Sequence, residues 1–254
     1  MIFEFNETES TSEDIKYLYL NEDARMFDAV YALTQTSGKG RGGKSFYSPL
    51  GGIYLSMLLP KASPADTIRG AGACVSRAVR RMTGKDIRIR PMNDIFCDGR
   101  KAGILTAENI YDEAGSSKGL ILSVCINLAV PEEGFPEEIR DFAGGIYRSA
   151  SEIAWLGAAR TSSVDTQDLS QLLLAGLRSQ LMYALLEEFK KLADPRELAL
   201  LLAEYAQLLL CPEPEISAEN AAPEPTSSEE SLENKRNDEN DSFNKASDDS
   251  IANE

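Results

Sequence analysis

Residues 35–57 read QTSGKGRGGKSFYSPLGGIYLSM, and the fold turns on the residues placed after their glycines. Gly38 to Ser45 spell G-x-x-x-x-G-K-S, the spacing of a phosphate-cradling loop that joins a buried strand to a helix. Such a loop works because a helix N-terminus aims N–H groups and positive potential at the phosphates. Here Pro49 and Gly51-Gly52 stand where that helix would run, and the apolar IYLSMLLP beyond them reads as a buried strand ended by Pro60. No later segment supplies a convincing acidic strand end for magnesium in that arrangement. The stretch is therefore a glycine-rich cationic loop between two strands. Its glycines let backbone amides approach an anion, and Lys39, Arg41 and Lys44 can close over it. On composition alone, a solvated basic hairpin loop is an equal reading.

Upstream of the loop, DIKYLYL (14–20) and AVYALTQ (29–35) read as two β runs separated by NEDARMFD. Downstream, Ser63-Pro64-Ala65-Asp66 starts a helix that carries Ile68, Ala71, Val75, Ala78, Val79 and Met82 at helical spacing and should end near Gly84. The strands DIRIR (86–90) and KAGILTAENIY (101–111) flank NDIFCDGR, whose Asp98-Gly99 signals a tight hairpin. GLILSVCINLAV (119–130) is apolar enough for a central strand, and a helical stretch is expected near 136–156. Asp165 should cap a helix to about Leu192, with Leu169, Leu172, Leu173, Leu177, Leu181, Leu185, Phe189 and Leu192 in register. Asp194-Pro195-Arg196-Glu197 should start a last helix, its acids placed as in a capping box. This order implies an α/β or α+β fold around a sheet of mixed strand direction, not a repeating βαβ wheel.

Composition narrows the chemistry. The 254 residues include no histidine, which excludes Ser-His-Asp and Cys-His catalysis and His-containing zinc sites. Cys74, Cys97, Cys125 and Cys211 are widely spaced, as buried free thiols of a reducing compartment would be. Residues 212–254 hold 13 Asp/Glu against 3 Lys/Arg, −10 of the formal −15, so −5 remains for residues 1–211. That tail is expected to be disordered, leaving 1–211 as the folded domain. The amino terminus lacks the apolar run of a signal peptide, and no stretch approaches the roughly 18 apolar residues of a membrane span. A cytoplasmic protein without a membrane partner is expected.

Three segments, in order, resemble biotin protein ligases. QTSGKGRGGKSFYSPLGG is similar to the family's Q-x-x-G-R-G-R-x-G-x-x-W/F-x-S-P, RIRPMNDIFCDGRKAGIL to its K-W-P-N-D segment with the later K-x-x-G-I-L, and LSVCINLAVPEEGFPEEIR to its G-I-G-I-N-V and the proline-containing stretch beyond. The match is clearest over 30–148, with the helical end at 165–211 a weaker one. The resemblance implies a mixed β-sheet flanked by helices, related to class II aminoacyl-tRNA synthetases. It implies substrates ATP and biotin with Mg²⁺, an intermediate biotinyl-5′-AMP, and a biotin carboxyl carrier domain as acceptor. Carried over by position, Gln35, Gly38 and Lys39 would meet biotin. Arg41, Phe46, Asn93, Asp94 and Asn127 would meet the nucleotide, with Asp94 also toward magnesium, and Lys101 and Arg41 would serve catalysis. Such chemistry needs charge neutralisation and positioning more than a base.

The resemblance has departures. The family's Asp-Ser-Thr-Asn, which comes after its first strand, finds no counterpart in YLYLNEDARMFDAVY (17–31). The chain is one residue short after Lys101, which in a regular strand would reverse side-chain facing. Ser123 and Cys125 replace two glycines. With no helix-turn-helix, neither repressor activity nor nucleic-acid binding is expected; a homodimer is left open. The alternatives to biotin ligation are a non-catalytic member that binds a carrier or small ligand, and a lipoate or octanoate ligase or transferase.

Overall fold

The computed structural model of the chain describes residues 1–40, 44–91, 93–153 and 166–210. The chain divides into two units, Met1–Glu213 and Pro214–Glu254; the expectation of a disordered acidic tail, like those for Asp165 and Cys211, lies outside the described residues.

Seven strands form one sheet: β1 (Ile2–Thr8), β2 (Ala29–Gln35), β3 (Gly52–Leu59), β4 (Ile87–Arg90), β5 (Asp94–Cys97), β6 (Arg100–Tyr111) and β7 (Ser117–Asn127). Their order is β1-β2-β3-β7-β6-β5-β4. Of the described neighbours, β1 and β2 are parallel and the rest antiparallel. The central β3 and β7 are buried on both faces along almost all their length, as strands covered from two sides must be. The turn between β5 and β6 has Asp98 and Gly99 at φ 48° and 78°, the left-handed pair that a two-residue hairpin requires. DIFC, read as part of a connection, is itself β5.

Helices that frame the sheet include α1 (Thr11–Leu20), α2 (Pro64–Thr83), α3 (Thr166–Lys190) and α4 (Pro195–Leu208). Ser63 Oγ accepts the Asp66 N–H at 3.3 Å, and Gly84 closes α2 at φ 70°. Asp194 caps α4 by accepting the Arg196 N–H at 2.7 Å. One sheet face, with Leu55, Met57, Val124 and Ile126, packs on the apolar sides of α2, α3 and α4 through Cys74, Val75, Leu185 and Phe189. The opposite face is covered at one end by α1, where Ile15 meets Val30, Leu58 and Ile121. Along the rest of that face Tyr54, Ser56, Ser123, Cys125 and Asn127 form a floor. No described helix is long and apolar enough to cross a membrane.

Three expectations are corrected. DIKYLYL belongs to α1, because its apolar contacts fall at Ile15, Leu18 and Tyr19, a helical spacing, and Glu13 and Asp14 sit in the first turn. The strand that precedes it is β1, from a stretch whose composition reads only as acidic. Of the helix expected near 136–156, residues 150–153 are helical and 154–156 lie outside the described residues, but 136–149 form turns and bridges: Pro136 and Gly144-Gly145 interrupt them, and Arg100 takes the carbonyls of Arg140 and Ala143. In α3, Leu172 is exposed and Leu174 takes the core position.

Candidate active site

The floor begins where β1 turns into α1. Ser10 is the N-cap residue, and Ser10, Thr11 and Ser12 are all buried. Glu9-Ser10-Thr11-Ser12 thus stands directly after the first strand, upstream of the stretch 17–31. The Thr11 N–H and hydroxyl donate to Gln35 Oε1 at 3.0 and 3.1 Å. With the Thr11 proton so placed, the Ser56 hydroxyl donates to Thr11 at 2.8 Å and Ser123 to Ser56 at 2.7 Å. Gln35 Nε2 donates to Ser48 Oγ at 3.0 Å and to Cys125 Sγ at 3.7 Å. A buried polar row therefore crosses β2, β3 and β7, each member satisfied by its neighbour as burial demands. Burial also pushes the Cys125 thiol up to about 12, against the Gln35 N–H, which lowers it.

The glycine loop rises over this row as an extension of β2. Gln35 bridges Ser48, Phe46 N–H donates to Gly38 O at 2.7 Å, and Gly40 N–H to Lys44 O at 2.6 Å. A Cβ at Gly38 would lie 2.5 Å from Ser48 Oγ and 2.9 Å from Gln35 Nε2, so the bare glycine is what lets the loop close on the Gln35 amide. Lys39 forms an ion pair with Glu13 on α1, and that hydrogen bond holds the Glu13 carboxyl below the usual carboxylate range. Arg41 lies outside the described residues.

Beside the row opens a cavity of about 810 Å³. Its wall includes Asp94 and Lys101, with Nζ and Oδ1 2.7 Å apart and side chains 23% and 25% exposed for Lys101 and Asp94. The missing residue after Lys101 is absorbed by a β-bulge. Gly103 opposes Ile95 but Lys101 opposes Phe96, so Ala102 is the extra residue on β6. Ala102 and Leu105 enter the helix-side core, whereas Lys101 and Ile104, three residues apart, both line the cavity. The facing reversal expected from the spacing is thereby cancelled. Gly103 is needed at this point because a Cβ there would strike the Cys125 carbonyl oxygen.

Where β7 leaves β6, a strap formed by residues 139–144 takes its place. Lys101 N–H donates to Phe142 O at 2.9 Å and Gly144 N–H to Lys101 O at 2.8 Å. Asn127 Nδ2 donates to Gly144 O at 3.1 Å, so this cavity residue also anchors the strap. Phe46 lines the cavity while packing on Tyr54, Ile104 and Cys125. Lys44, Tyr47 and Phe142 also line it, the two rings 40% and 51% exposed at its mouth. Asn93 is buried beneath, its amide donating to the Leu105 carbonyl.

The fold thus brings Phe46, Asp94, Lys101 and Asn127 to one cavity, with Gln35 and Gly38 on the adjoining row and Lys39 bound to α1. Sequence reasoning missed Ser10, Thr11, Ser12, Tyr47 and Phe142, while Lys44, read as a loop cation that can close over an anion, does line the cavity. The first three had a signal in the Ser10-x-x-Glu13 capping pattern; Phe142 had none, since tertiary bonds to Lys101 deliver it. Among the described residues no group of three Asp, Glu or Cys side chains could hold a metal ion.

Residues 6–127 match the biotin/lipoate A/B protein ligase family. The bifunctional ligase/repressor BirA of Bacillus subtilis is 27% identical over 155 residues, 58% of this chain and 47% of that protein. BirA of Escherichia coli is 30% identical over 109 residues, 41% of this chain and 33% of that one. The chain therefore spans half or less of the curated relatives it matches. Among solved structures, a biotin protein ligase from Aquifex aeolicus in complex with biotin and ATP superposes with a TM-score of 0.56 at 22% identity, covering 82% of this chain and 78% of that one. A Leishmania major biotin protein ligase with biotinyl-5-AMP gives 0.54 at 19% identity, covering 88% and 87%. At these identities the superpositions speak for the fold.

Proposed function

We propose that this chain, whose residues 6–127 match the biotin/lipoate A/B protein ligase family, is an ATP-dependent ligase that activates biotin as biotinyl-5′-AMP and transfers it to a lysine of a biotin carboxyl carrier domain. The observation that carries this reading is the Lys101–Asp94 pair on the wall of a cavity also lined by a second cation, Lys44, and by the rings of Phe46, Tyr47 and Phe142. Cations suit a polyphosphate and rings suit a base. The neighbouring row of Thr11, Gln35 and Ser56 suits an acid with a polar head, which favours biotin over lipoate or octanoate.

In the first step a carboxylate oxygen attacks the α-phosphorus of ATP. The carboxyl O–P bond forms, the bond from that phosphorus to the bridging oxygen breaks, and pyrophosphate leaves. Negative charge shifts onto the phosphoryl and bridging oxygens, and the ammonium of Lys101, already fixed in place by Asp94, stabilises it without reorganising. In the second step the neutral amine of the carrier lysine attacks the acyl carbon. The amide C–N bond forms, the C–O bond to AMP breaks, and the amine's proton passes to solvent. Magnesium would enter as the counterion of the triphosphate, a mode that fits a wall whose described carboxylate is Asp94.

The test is pyrophosphate–ATP exchange with biotin, lipoate and octanoate, followed by transfer of labelled acid to a carrier domain. Biotin-dependent exchange and carrier labelling are expected. Exchange with lipoate or octanoate alone would move the substrate assignment, and exchange with none of the three would sink the proposal.

A further inference from the structure

Gln35 can make four hydrogen bonds, two through its carbonyl oxygen and two through its amide N–H groups. All four are taken inside the protein: Thr11 supplies both donors to Oε1, and Ser48 Oγ and Cys125 Sγ accept from Nε2. Three of these partners are oxygen or backbone nitrogen at 3.0–3.1 Å; the fourth is a sulfur at 3.7 Å, the weakest acceptor of the set. Cys125 is only 5% exposed and lies between Tyr54 on β3 and Ile104 on β6, directly opposite each in the ladder. With Phe46 these residues form a small apolar cluster. The described cavity wall includes Phe46 and Ile104, but not Thr11, Gln35, Ser56, Ser123 or Cys125. The cluster therefore separates the cavity from the polar row, and the row has no open donor or acceptor at Gln35.

We infer that Cys125 is a specificity-determining residue: its side chain packs behind the Phe46 and Ile104 wall of the cavity and occupies the Gln35 N–H that a polar acid head would need. This inference rests on the acyl-adenylate reading of the cavity. An acid must displace the thiol to reach Gln35, so the site favours acids whose head group accepts a hydrogen bond well enough to replace the sulfur. A plain alkyl head gains nothing at Gln35 by doing so and leaves a buried N–H unpaired. Ser123, two residues away on the same strand, completes the row through its hydroxyl at Ser56.

The experiment is calorimetric titration of the full chain, and of its Cys125→Gly and Cys125→Ala variants, with biotin, octanoate and ATP separately. Cys125→Gly releases the Gln35 N–H and should tighten biotin by about tenfold, the size of one hydrogen bond no longer contested. Cys125→Ala should tighten it less, and the affinities for octanoate and ATP should stay within about twofold of the parent. An unchanged ATP affinity also shows that the variants keep their fold. Equal or weaker biotin binding in both variants, with ATP binding intact, overturns the inference alone. Binding of ATP with neither acid bound by parent or variants overturns both the inference and the reading beneath it.

Discussion

Replacing Lys101 with methionine keeps most of the side chain's volume and removes its charge. In the folded protein that ammonium sits 2.7 Å from Asp94, both groups about three-quarters buried. The pair lies between exposed pairs, worth about 0.2–1 kcal/mol, and buried ones, whose rupture costs about 3–5 kcal/mol. A loss of about 1–2 kcal/mol results, or roughly 2–8 °C in Tm for a domain of this size. Loss of a preorganised charge aimed at a transferring phosphoryl group costs about 3–4 kcal/mol in the barrier. That corresponds to about 10²–10³-fold in kcat/KM for biotin-dependent pyrophosphate exchange. The two effects separate when exchange is measured well below the melting temperature, with melting recorded on the same preparation. Exchange in Lys101→Met within about threefold of the parent, or an activity loss that merely tracks unfolding, would refute the role given to this residue.

The same geometry yields three further outcomes. Gly52→Ala places a Cβ against the Tyr54 ring, whose hydroxyl donates to Pro49 O at 2.6 Å, so it should cost about 1–3 kcal/mol in denaturant unfolding by overpacking; an unchanged midpoint would show the ring free to move. Burial pushes the thiols of Cys97 and Cys125 up to about 11 and about 12, leaving about one Cys125 in ten thousand as thiolate at pH 8. Iodoacetamide should spare Cys74, Cys97 and Cys125 in the native protein and modify them in guanidinium, and native labelling of Cys125 would contradict its burial. Because the hydrogen bond from Lys39 lowers the Glu13 carboxyl below 4.5, the loop–helix tie is present above that pH and lost as pH falls through the lowered value. Carboxyl NMR should find the midpoint below 4.5, returning toward it in Lys39→Met; no change in the variant would disprove the pairing.

Features written locally were legible in the sequence. Ser63 and Gly84 bound α2, Asp98-Gly99 turns β5 into β6, and Asp194 caps α4, each by chemistry contained in a few neighbouring residues. DIKYLYL misled because Tyr17, Leu18, Tyr19 and Leu20 are contiguous apolar residues of good strand propensity, and a run that short has no decisive period. Its helix begins upstream of the run, after the extended Ser10, and carries Glu13 and Asp14 in its first turn. That misreading moved the first strand and hid Thr11, which joins Gln35 to Ser56 in the polar row. At Lys101 the short spacing was visible but its remedy was not, since a bulge depends on the partner strand and on how closely Gly103 approaches Cys125 O. Phe142 and Tyr47 come from segments distant in the chain yet line the same cavity, which no local pattern encodes.

The strap beside β6 gives Lys101 an unusual mechanical status. Its amide and carbonyl are both bonded to residues 142 and 144, so a residue on the cavity wall belongs to the ladder interior, not to a frayed strand end. The Lys101 and Gly144 amide protons should then exchange with deuterium as slowly as those of the central strands, and together, since each bond holds the same two segments. Any event that lifts the strap would accelerate both at once, which makes this pair of amides a built-in gauge of whether the wall of the cavity is whole.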